Sequence, residues 1–455
     1  MPAARSRIGI ANLIMAGLAV SVATSLAPAA VSAPRLPGAA AITPIQHLVV
    51  LYLENHSFDN VLGRLCVADA RCDGTLSGKT SNGQTIPLQA ADDYVPKVAH
   101  GRSTQIMAVN GGAMNGWDQI GGCTQAEGYR CYQAFQPSQI PNLAALARHF
   151  VISDRTFESE LVPTFGSHVF ILAAQLGGFQ GTNPVEIPGN PNGPGWGCDS
   201  YLDAKWRATP SGRYALVPSC FPNQLGAGPY RSSPVPWVPT IMDRLDVAGL
   251  SWKLYTPASD EPGYIWAGCP YFAECIYGPQ GTKAVPVQEV VSDAQAGTLP
   301  SVSFVFPHWN KSQHNQSSMV EGDTFIGSVV GAVMNGPQWS STAVLITYDD
   351  CGCFYDHVPP PNGLGIRQPM VIVSPYARPG FTDSTVASFA SILALIERNW
   401  GLPPLTAADG GAYDYRRSFN FAQAPLKPIP MVYSPVSPMV HRMMEADPPD
   451  PNDPN

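Results

Sequence analysis

The stretch that decides the fold is Leu48-Val49-Val50-Leu51-Tyr52-Leu53-Glu54-Asn55-His56-Ser57-Phe58-Asp59. It begins as an unbroken run of apolar and β-branched residues, which predicts a strand buried on both faces. The run stops at Glu54 and Asn55, whose side-chain oxygens can bind a divalent cation. Because ligands bind at the carboxyl ends of strands in open α/β sheets, this junction predicts a ligand or metal site. The alternative interpretation is a helix cap or a surface turn.

A second junction of the same kind lies far down the chain. The run Ala343-Val344-Leu345-Ile346-Thr347-Tyr348 leads directly into Asp349 and Asp350. Two buried strands that each end in paired oxygen ligands predict one metal site built from Glu54, Asn55, Asp349 and Asp350. An oxygen ligand set favours a hard cation, Ca²⁺ or Mn²⁺, with Zn²⁺ left open.

Strand-like runs and helical patterns alternate along the chain. The predicted strands are 48–53, 150–153, 251–255, 302–306, 344–347 and 370–374, and the predicted helices are 141–148, 167–175, 238–248, 324–334 and 389–400. This alternation predicts an α/β fold with a mostly parallel central sheet and helices on both faces. The segment 177–236, rich in Gly, Pro and Asn, is interpreted as a long loop insertion or lid.

Composition and the chain ends indicate export. Arg5 and Arg7 precede the mostly apolar run 8–31 and a small-residue cleavage site, so residues 1–33 read as a signal peptide of a secreted or cell-envelope protein. An uncleaved membrane anchor is the alternative. The net charge of −8 gives no support to a nucleic-acid partner. The acidic, Pro-rich segment 439–455 is predicted to be disordered.

The ten cysteines agree with export, because they fall as close neighbours along the chain. The neighbours are Cys66 and Cys72, Cys123 and Cys131, Cys198 and Cys220, Cys269 and Cys275, and Cys351 and Cys353. The pattern predicts disulfides, and no two CxxC units support the alternative of a thiolate metal site. Whether Cys351 and Cys353 are bonded is left open, since only Gly352 separates them.

Hydroxyls and histidines in the loops could carry chemistry. Thr164 and Ser167 stand at the entry of a predicted helix, where the helix dipole and backbone N–H groups favour a bound phosphate. Either hydroxyl could instead simply cap the helix. His100, His314 and His357 lie in loops, the last two after predicted strands, and histidines there are suited to proton transfer or charge stabilisation near a phosphate.

Five motifs in order resemble the bacterial phosphoesterase family, which holds secreted phospholipases C and acid phosphatases. The first is Glu54-Asn55-His56-Ser57-Phe58-Asp59, and the second is Asn110-Gly111-Gly112-Ala113-Met114-Asn115-Gly116-Trp117. The third is Pro163-Thr164 with Ser167-His168-Val169-Phe170, and the fourth is Gly322-Asp323-Thr324-Phe325-Ile326. The fifth is Thr347-Tyr348-Asp349-Asp350 with Phe354-Tyr355-Asp356-His357-Val358-Pro359-Pro360. The resemblance covers nearly the whole chain after residue 33.

The resemblance implies an alkaline-phosphatase-like fold for a catalytic domain over 44–424, with one catalytic divalent metal ion. It implies that Thr164 is the nucleophile, which forms a phospho-enzyme intermediate and completes the metal shell. His100 and His314 match positions that contact the phosphate or the leaving group. Ser167 and His357 match positions near bound substrate, although His357 also suits a role in supporting the metal loop.

The chain departs from the family pattern at two places. Asp350-Cys351-Gly352-Cys353 replaces an acidic residue and a Gly-rich turn, and Ser167 replaces an Asn that binds phosphate oxygens. Ser167 is therefore the second candidate nucleophile. The expected substrate is a phosphate ester, either a phospholipid at a membrane surface or a soluble monoester. A catalytically inactive secreted binding protein on the same fold is the alternative.

Overall fold

The computed structural model describes residues 39–189 and 193–448. The predicted signal peptide and the tail from residue 449 lie outside the described residues. None of the helices in the described ranges combines the length and apolar character needed to cross a membrane.

Within the described residues, the chain alternates between strands and helices. The strands are β1 His47–Leu53, β2 Ser77–Lys79, β3 Thr85–Pro87, β4 Gln89–Ala90, β5 Gln133–Ala134, β6 Val151–Ser153, β7 Thr156–Phe157, β8 Asp203–Trp206, β9 Ala215–Pro218, β10 Trp252–Thr256, β11 Ala284–Pro286, β12 Val302–Val305, β13 Thr342–Tyr348, β14 Met370–Val373, β15 Thr382–Asp383 and β16 Ala387–Ser388. The α-helices are α1 Arg64–Asp69, α2 Arg102–Val109, α3 Pro141–His149, α4 Thr164–Ala173, α5 Ile241–Val247, α6 Ala273–Ile276, α7 Glu289–Ala296, α8 Met319–Asn335, α9 Phe389–Trp400, α10 Ala407–Gly411 and α11 Pro438–Ala446.

One eight-stranded sheet forms the centre of the fold, in the order β11-β10-β12-β1-β13-β14-β6-β15. Its pairs are parallel, except that β14 runs antiparallel to both β13 and β6. Helices α4 and α9 pack against each other, as do α3 and α8. The predicted α/β class with a mostly parallel sheet is confirmed.

All six predicted strands lie in this sheet, and the boundaries of four of the five predicted helices differ from the prediction, with the largest shifts in the starts of α4, α5 and α8. Helix α4 begins at Thr164 rather than residue 167, directly after Pro163, whose backbone is extended. Helix α8 begins at Met319 rather than residue 324, since the Ser318 hydroxyl accepts a hydrogen bond from the backbone N–H of Glu321. The cap at Ser318 therefore starts α8 before the apolar residues from which the helix was predicted.

Four disulfides join the predicted cysteine neighbours: Cys66–Cys72, Cys123–Cys131, Cys198–Cys220 and Cys269–Cys275. The third lies in the segment 177–236, whose regular structure among the described residues is the antiparallel pair β8 and β9. The prediction of disorder from residue 439 is wrong for its first part. Ser437 caps α11 and Pro438 occupies its first turn, where a missing N–H costs nothing.

Candidate active site

The register of the sheet brings the two sequence junctions together. Leu53 and Tyr348 are directly paired at the carboxyl ends of β1 and β13. The backbone N–H of Asp349 donates to the carbonyl of Leu53 (3.0 Å), and the backbone N–H of Asn55 donates to Oδ1 of Asp349 (2.8 Å). Asn55 has a φ of 61°, a conformation that Asn tolerates better than most residues, so the chain turns sharply after Glu54. Parallel pairing thus places the predicted ligands at one edge.

The first residue of α4 lies beside these carboxylates. Thr164 is fully buried and lies next to Asp349 and Asp350. Its Oγ1 has no hydrogen-bond partner within normal distance, and neither has Oγ of Ser167 one turn further along. A buried hydroxyl without a partner is costly unless another group occupies the site.

The carboxylates themselves form an uncompensated group. Burial raises the pKa of Glu54 well above its usual range, and the adjacent Asp349 raises that pKa further. Burial and the charge of Asp349 also raise the pKa of Asp350. Oε2 of Glu54 and Oδ2 of Asp349 are buried and have no hydrogen-bond partners among the residues that the structure describes. Closely spaced buried acids of this kind are stabilised by a bound cation.

The orientation of the Asn55 amide tests whether a cation fits. One terminal atom of the amide lies 2.9 and 3.2 Å from the carboxylate oxygens of Asp350, and the other lies 2.5 Å from Nε2 of His314. Nδ1 of His314 lies 2.8 Å from the carbonyl oxygen of Asn315, so Nδ1 carries the proton of the neutral ring. Nε2 then accepts, which assigns the amide nitrogen to its side. The Asn55 oxygen consequently faces Asp350, as a cation between them requires.

His168 joins this cluster, and the sequence had given it no role. Its Nε2 lies 3.0 Å from Oε1 of Glu54, and the ligand atoms of Glu54, His168 and Asp349 are close enough to hold a metal ion. Burial lowers the pKa of His168 to about 3, which keeps the ring neutral and able to ligate. The available signal was its position four residues after Thr164, on the same face of α4.

Two of the predicted histidines, His100 and His314, also lie at the site. The rings of His100 and His314 have centroids 5.9 Å apart, and His314 lies against Trp309 with a centroid distance of 4.0 Å. Nδ1 of His100 lies 2.8 Å from the carbonyl of Val98. Burial and the nearby His100 hold the pKa of His314 well below its usual range. Both histidines are buried, as are Ser167 and the predicted ligands.

His357 is the predicted site residue with a different set of contacts. Nδ1 of His357 lies 2.5 Å from Oδ2 of Asp59, and Nε2 lies 3.1 Å from Oδ1 of Asp73. The buried guanidinium of Arg367 bonds Asp59 and Asp356, each at 3.1 Å from Nη2. These bonds tie the loop after β13 to the segment after β1, in keeping with the second role that the sequence suggested for His357, support of the metal loop. Contact of His357 with substrate stays a prediction.

We expect Arg367→Met to destabilise the fold strongly. The change leaves Asp59 and Asp356 buried without their cation, at a cost of about 3–5 kcal/mol in the free energy of unfolding. Urea unfolding measures the loss. Arg148→Met is the matched control, because Arg148 pairs with Asp69 at the surface and its loss should cost less than about 1 kcal/mol. Equal effects of the two substitutions would contradict the assignment.

We expect His357 to stabilise the protein more at low pH than at high pH. Burial lowers the pKa of His357, but the hydrogen bond and charge of Asp59 outweigh burial, and the net pKa is raised above 6.5. The stabilisation is therefore complete below the unfolded pKa and is lost as pH rises through the folded pKa. His357→Gln should cost about 1 kcal/mol near pH 5.5 and less near pH 9, as measured by urea unfolding. A cost that rises with pH would contradict this sign.

The fold and this edge of the sheet define an α/β enzyme with a buried, oxygen-rich active centre. A model of the Phosphoesterase family matches residues 45–403, and the chain belongs to this family. It is a hydrolase that acts on phosphoric ester bonds.

Named relatives agree with this membership. The chain is 24% identical to "Phospholipase C A" of Mycobacterium tuberculosis, over 84% of this chain and 79% of that protein. It is also 24% identical to "Non-hemolytic phospholipase C" of Pseudomonas aeruginosa, over 94% of this chain and 65% of that protein. A solved protein of the alkaline phosphatase superfamily from Vibrio parahaemolyticus is 10% identical, over 84% of this chain and 72% of that chain. The TM-score of this match is 0.34.

Proposed function

We propose that this chain is an exported, metal-dependent phospholipase C that works through Thr164 as a nucleophile. The observation that carries the proposal is the Thr164 hydroxyl. It is buried, has no hydrogen-bond partner, and stands at the first turn of α4 beside Asp349 and Asp350. A nucleophile needs a lone pair that no other group engages, and a site that favours its deprotonation.

Glu54, Asn55, Asp349 and Asp350 would hold one divalent cation, with His168 within reach of the same position. When bound, the cation supplies a Lewis acid that lowers the pKa of a neighbouring hydroxyl and offsets charge on phosphate oxygens. The partnerless oxygens of Glu54 and Asp349 and the orientation of Asn55 support this assignment. The nitrogen of His168 widens the choice of metal beyond the hard cations to Zn²⁺.

In the first step, Oγ1 of Thr164 attacks phosphorus and the bond from phosphorus to the leaving oxygen breaks. The positive end of the α4 dipole stabilises the negative phosphate oxygens. In the second step, water cleaves the phosphothreonine and restores the hydroxyl. We assign the accompanying proton transfers to His100 and His314. Their Nδ1 atoms each lie 2.8 Å from a backbone carbonyl, which fixes the orientation of both rings at the site.

The insertion 177–236 supports a lipid substrate. It reaches the catalytic helix, because Oδ1 of Asn183 accepts a hydrogen bond from the backbone N–H of Phe165 (3.1 Å). The same insertion exposes apolar side chains, with Leu216 exposed by 47% and Leu225 by 89%. Exposed apolar side chains on a segment that also contacts α4 suit a substrate that is partly embedded in a bilayer. The names of the phospholipase C relatives point the same way.

Export is supported by the four disulfides, which persist in oxidising compartments. The signal peptide proposed for residues 1–33 accounts for passage to such a compartment. N-terminal sequencing of protein recovered from culture medium tests this proposal. A mature chain that begins close after Ala33 supports it, and a chain that keeps residues 1–33 and sediments with membranes contradicts it.

The test of function compares three substrates with and without added Ca²⁺, Mn²⁺ or Zn²⁺. They are phosphatidylcholine vesicles, p-nitrophenylphosphorylcholine and p-nitrophenyl phosphate. Faster metal-dependent turnover of phosphatidylcholine and p-nitrophenylphosphorylcholine than of p-nitrophenyl phosphate supports a phospholipase C. Preference for p-nitrophenyl phosphate would instead define an acid phosphatase with a monoester pocket. No turnover with any metal would favour the inactive binding protein.

A further inference from the structure

The segment Cys351-Gly352-Cys353 follows Asp350 directly and turns back on itself. Gly352 and Cys353 both have positive φ, at 49° and 45°. The turn presses against the segment after β1, because a Cβ at position 352 would lie 2.2 Å from the carbonyl oxygen of Asn55. Only glycine fits there. The turn therefore has one geometry, and that geometry sets the direction of both cysteine side chains.

The turn brings two thiols together. The Sγ atoms of Cys351 and Cys353 are 3.1 Å apart, which is about 1 Å longer than a disulfide bond. The backbone N–H of Cys353 donates to Sγ of Cys351 (3.0 Å) and holds that sulfur over the turn. Both side chains are completely buried. A small rotation of either side chain would bring the sulfurs to bonding distance.

The remaining cysteines indicate that this chain forms disulfides as it matures. The other eight, all in the described residues, are joined in four disulfides, each between close neighbours in sequence. A chain that matures where those bonds form is exposed to disulfide-bearing oxidants. The thiols of Cys351 and Cys353 are exposed to the same oxidants, because they belong to the same chain and mature in the same compartment.

We propose that Cys351 and Cys353 form a fifth disulfide as the chain matures, and that this bond locks the acidic loop of the active centre. One thiolate attacks an external disulfide, such as oxidised glutathione or an exported oxidoreductase, and forms a mixed disulfide. The second cysteine attacks the first sulfur, and the external group leaves as a thiol. The two cysteines lose two electrons and two protons, and the external disulfide is reduced to two thiols. The exchange takes place before the loop closes, because the folded structure buries both sulfurs.

The small ring closed by a Cys351–Cys353 disulfide would restrain Asp350 and Asn55 through contacts that are already present. The backbone N–H of Gly352 donates to Oδ1 of Asp350 (2.7 Å), so a rigid turn orients that carboxylate. Gly352 also lies close to the carbonyl of Asn55, so a rigid turn would restrain the segment that follows β1 as well. The bond itself stands apart from the proposed function, whereas its effect on metal affinity rests on it.

Mass spectrometry of the full secreted chain tests the bond directly. The protein is denatured without reductant, alkylated and digested. We expect the peptide that holds Cys351 and Cys353 to be unalkylated and lighter than the dithiol by two hydrogen masses. Adding reductant before alkylation should label both. Two alkylated cysteines in protein whose other four disulfides are intact would overturn the proposal.

Metal binding tests the consequence. Cys351→Ser, Cys353→Ser and the double variant should each weaken Mn²⁺ binding about 10-fold, as measured by calorimetry. The double variant should match the single ones, because loss of either cysteine removes the same bond. Cys66→Ser with Cys72→Ser removes a comparable short disulfide elsewhere and should leave Mn²⁺ affinity unchanged. Unchanged affinity in the Cys351 and Cys353 variants would overturn the proposed lock.

These outcomes separate the inference from the proposed function. A wild-type protein that contains the fifth disulfide but binds no Mn²⁺, Ca²⁺ or Zn²⁺ refutes the metal-dependent function and keeps the bond. A protein that binds metal and hydrolyses phosphate esters while both cysteines alkylate freely refutes the bond and keeps the function.

Discussion

Thr164→Ala should lower turnover of the preferred phosphate ester by about 10⁴-fold or more, since the variant has no group to form the covalent intermediate. The fold should survive the change. Oγ1 of Thr164 makes no hydrogen bond, so its removal should cost less than about 1 kcal/mol of stability. Thr164→Ser keeps a hydroxyl at the same position and should retain activity within about 100-fold of wild type.

Ser167→Ala is the matched control for this prediction. Ser167 lies one turn further along α4, is also buried, and its hydroxyl also lacks a hydrogen-bond partner among the described residues. It should keep turnover within about tenfold. Acid quenching during turnover, followed by peptide mass spectrometry, should find the phosphate on Thr164. Phosphate on Ser167, or full activity of Thr164→Ala, would transfer the nucleophile role to Ser167.

Asp350→Asn should abolish the stabilising effect of divalent metal ions while leaving the metal-free protein as stable as wild type, or more so. The amide keeps an oxygen that can accept from the Gly352 N–H, yet it removes one charge from a buried acidic cluster. In wild type, a cation at about 100-fold above its Kd adds about 2.7 kcal/mol to the free energy of unfolding. That increment should vanish in the variant.

Thermal unfolding with EDTA and with added Mn²⁺ measures both effects. Activity should fall together with metal affinity, by about 10³-fold. Asp447→Asn is the charge-matched control, because Asp447 is exposed and bonds Tyr94 at the surface. It should respond to EDTA as wild type does. A wild-type melting temperature that neither EDTA nor added metal changes would contradict the assignment of a metal site.

The sequence was sufficient to predict that the two acidic strand ends meet at one edge of the sheet. Buried runs that end in Glu54-Asn55 and Asp349-Asp350 are readable without a structure, because the carboxyl ends of parallel strands share an edge. The helix entry at Thr164 was readable for a similar reason, although the exact start of α4 directly after Pro163 was not. These predictions rest on patterns within short segments of the sequence.

Other features depended on contacts between distant segments. The contact of His168 with Glu54 joins residues 114 positions apart, and it required both the rotation of α4 and the register of β1. The bond between Arg367 and Asp59 spans 308 positions. No local pattern records such a pairing, and the contacts of His357 with Asp59 and Asp73 could not be predicted for the same reason.

The antiparallel course of β14 has a consequence for engineering. Since β13 and β14 run in opposite directions, the connection 349–369 leaves and returns at the same edge of the sheet. It is a cassette with adjacent ends, which could be exchanged between relatives without rerouting a strand. Asp356 and Arg367 bond each other across this cassette, so a transplanted loop should carry both and meet an acceptor at Asp59. The loop could then be varied on an unchanged sheet.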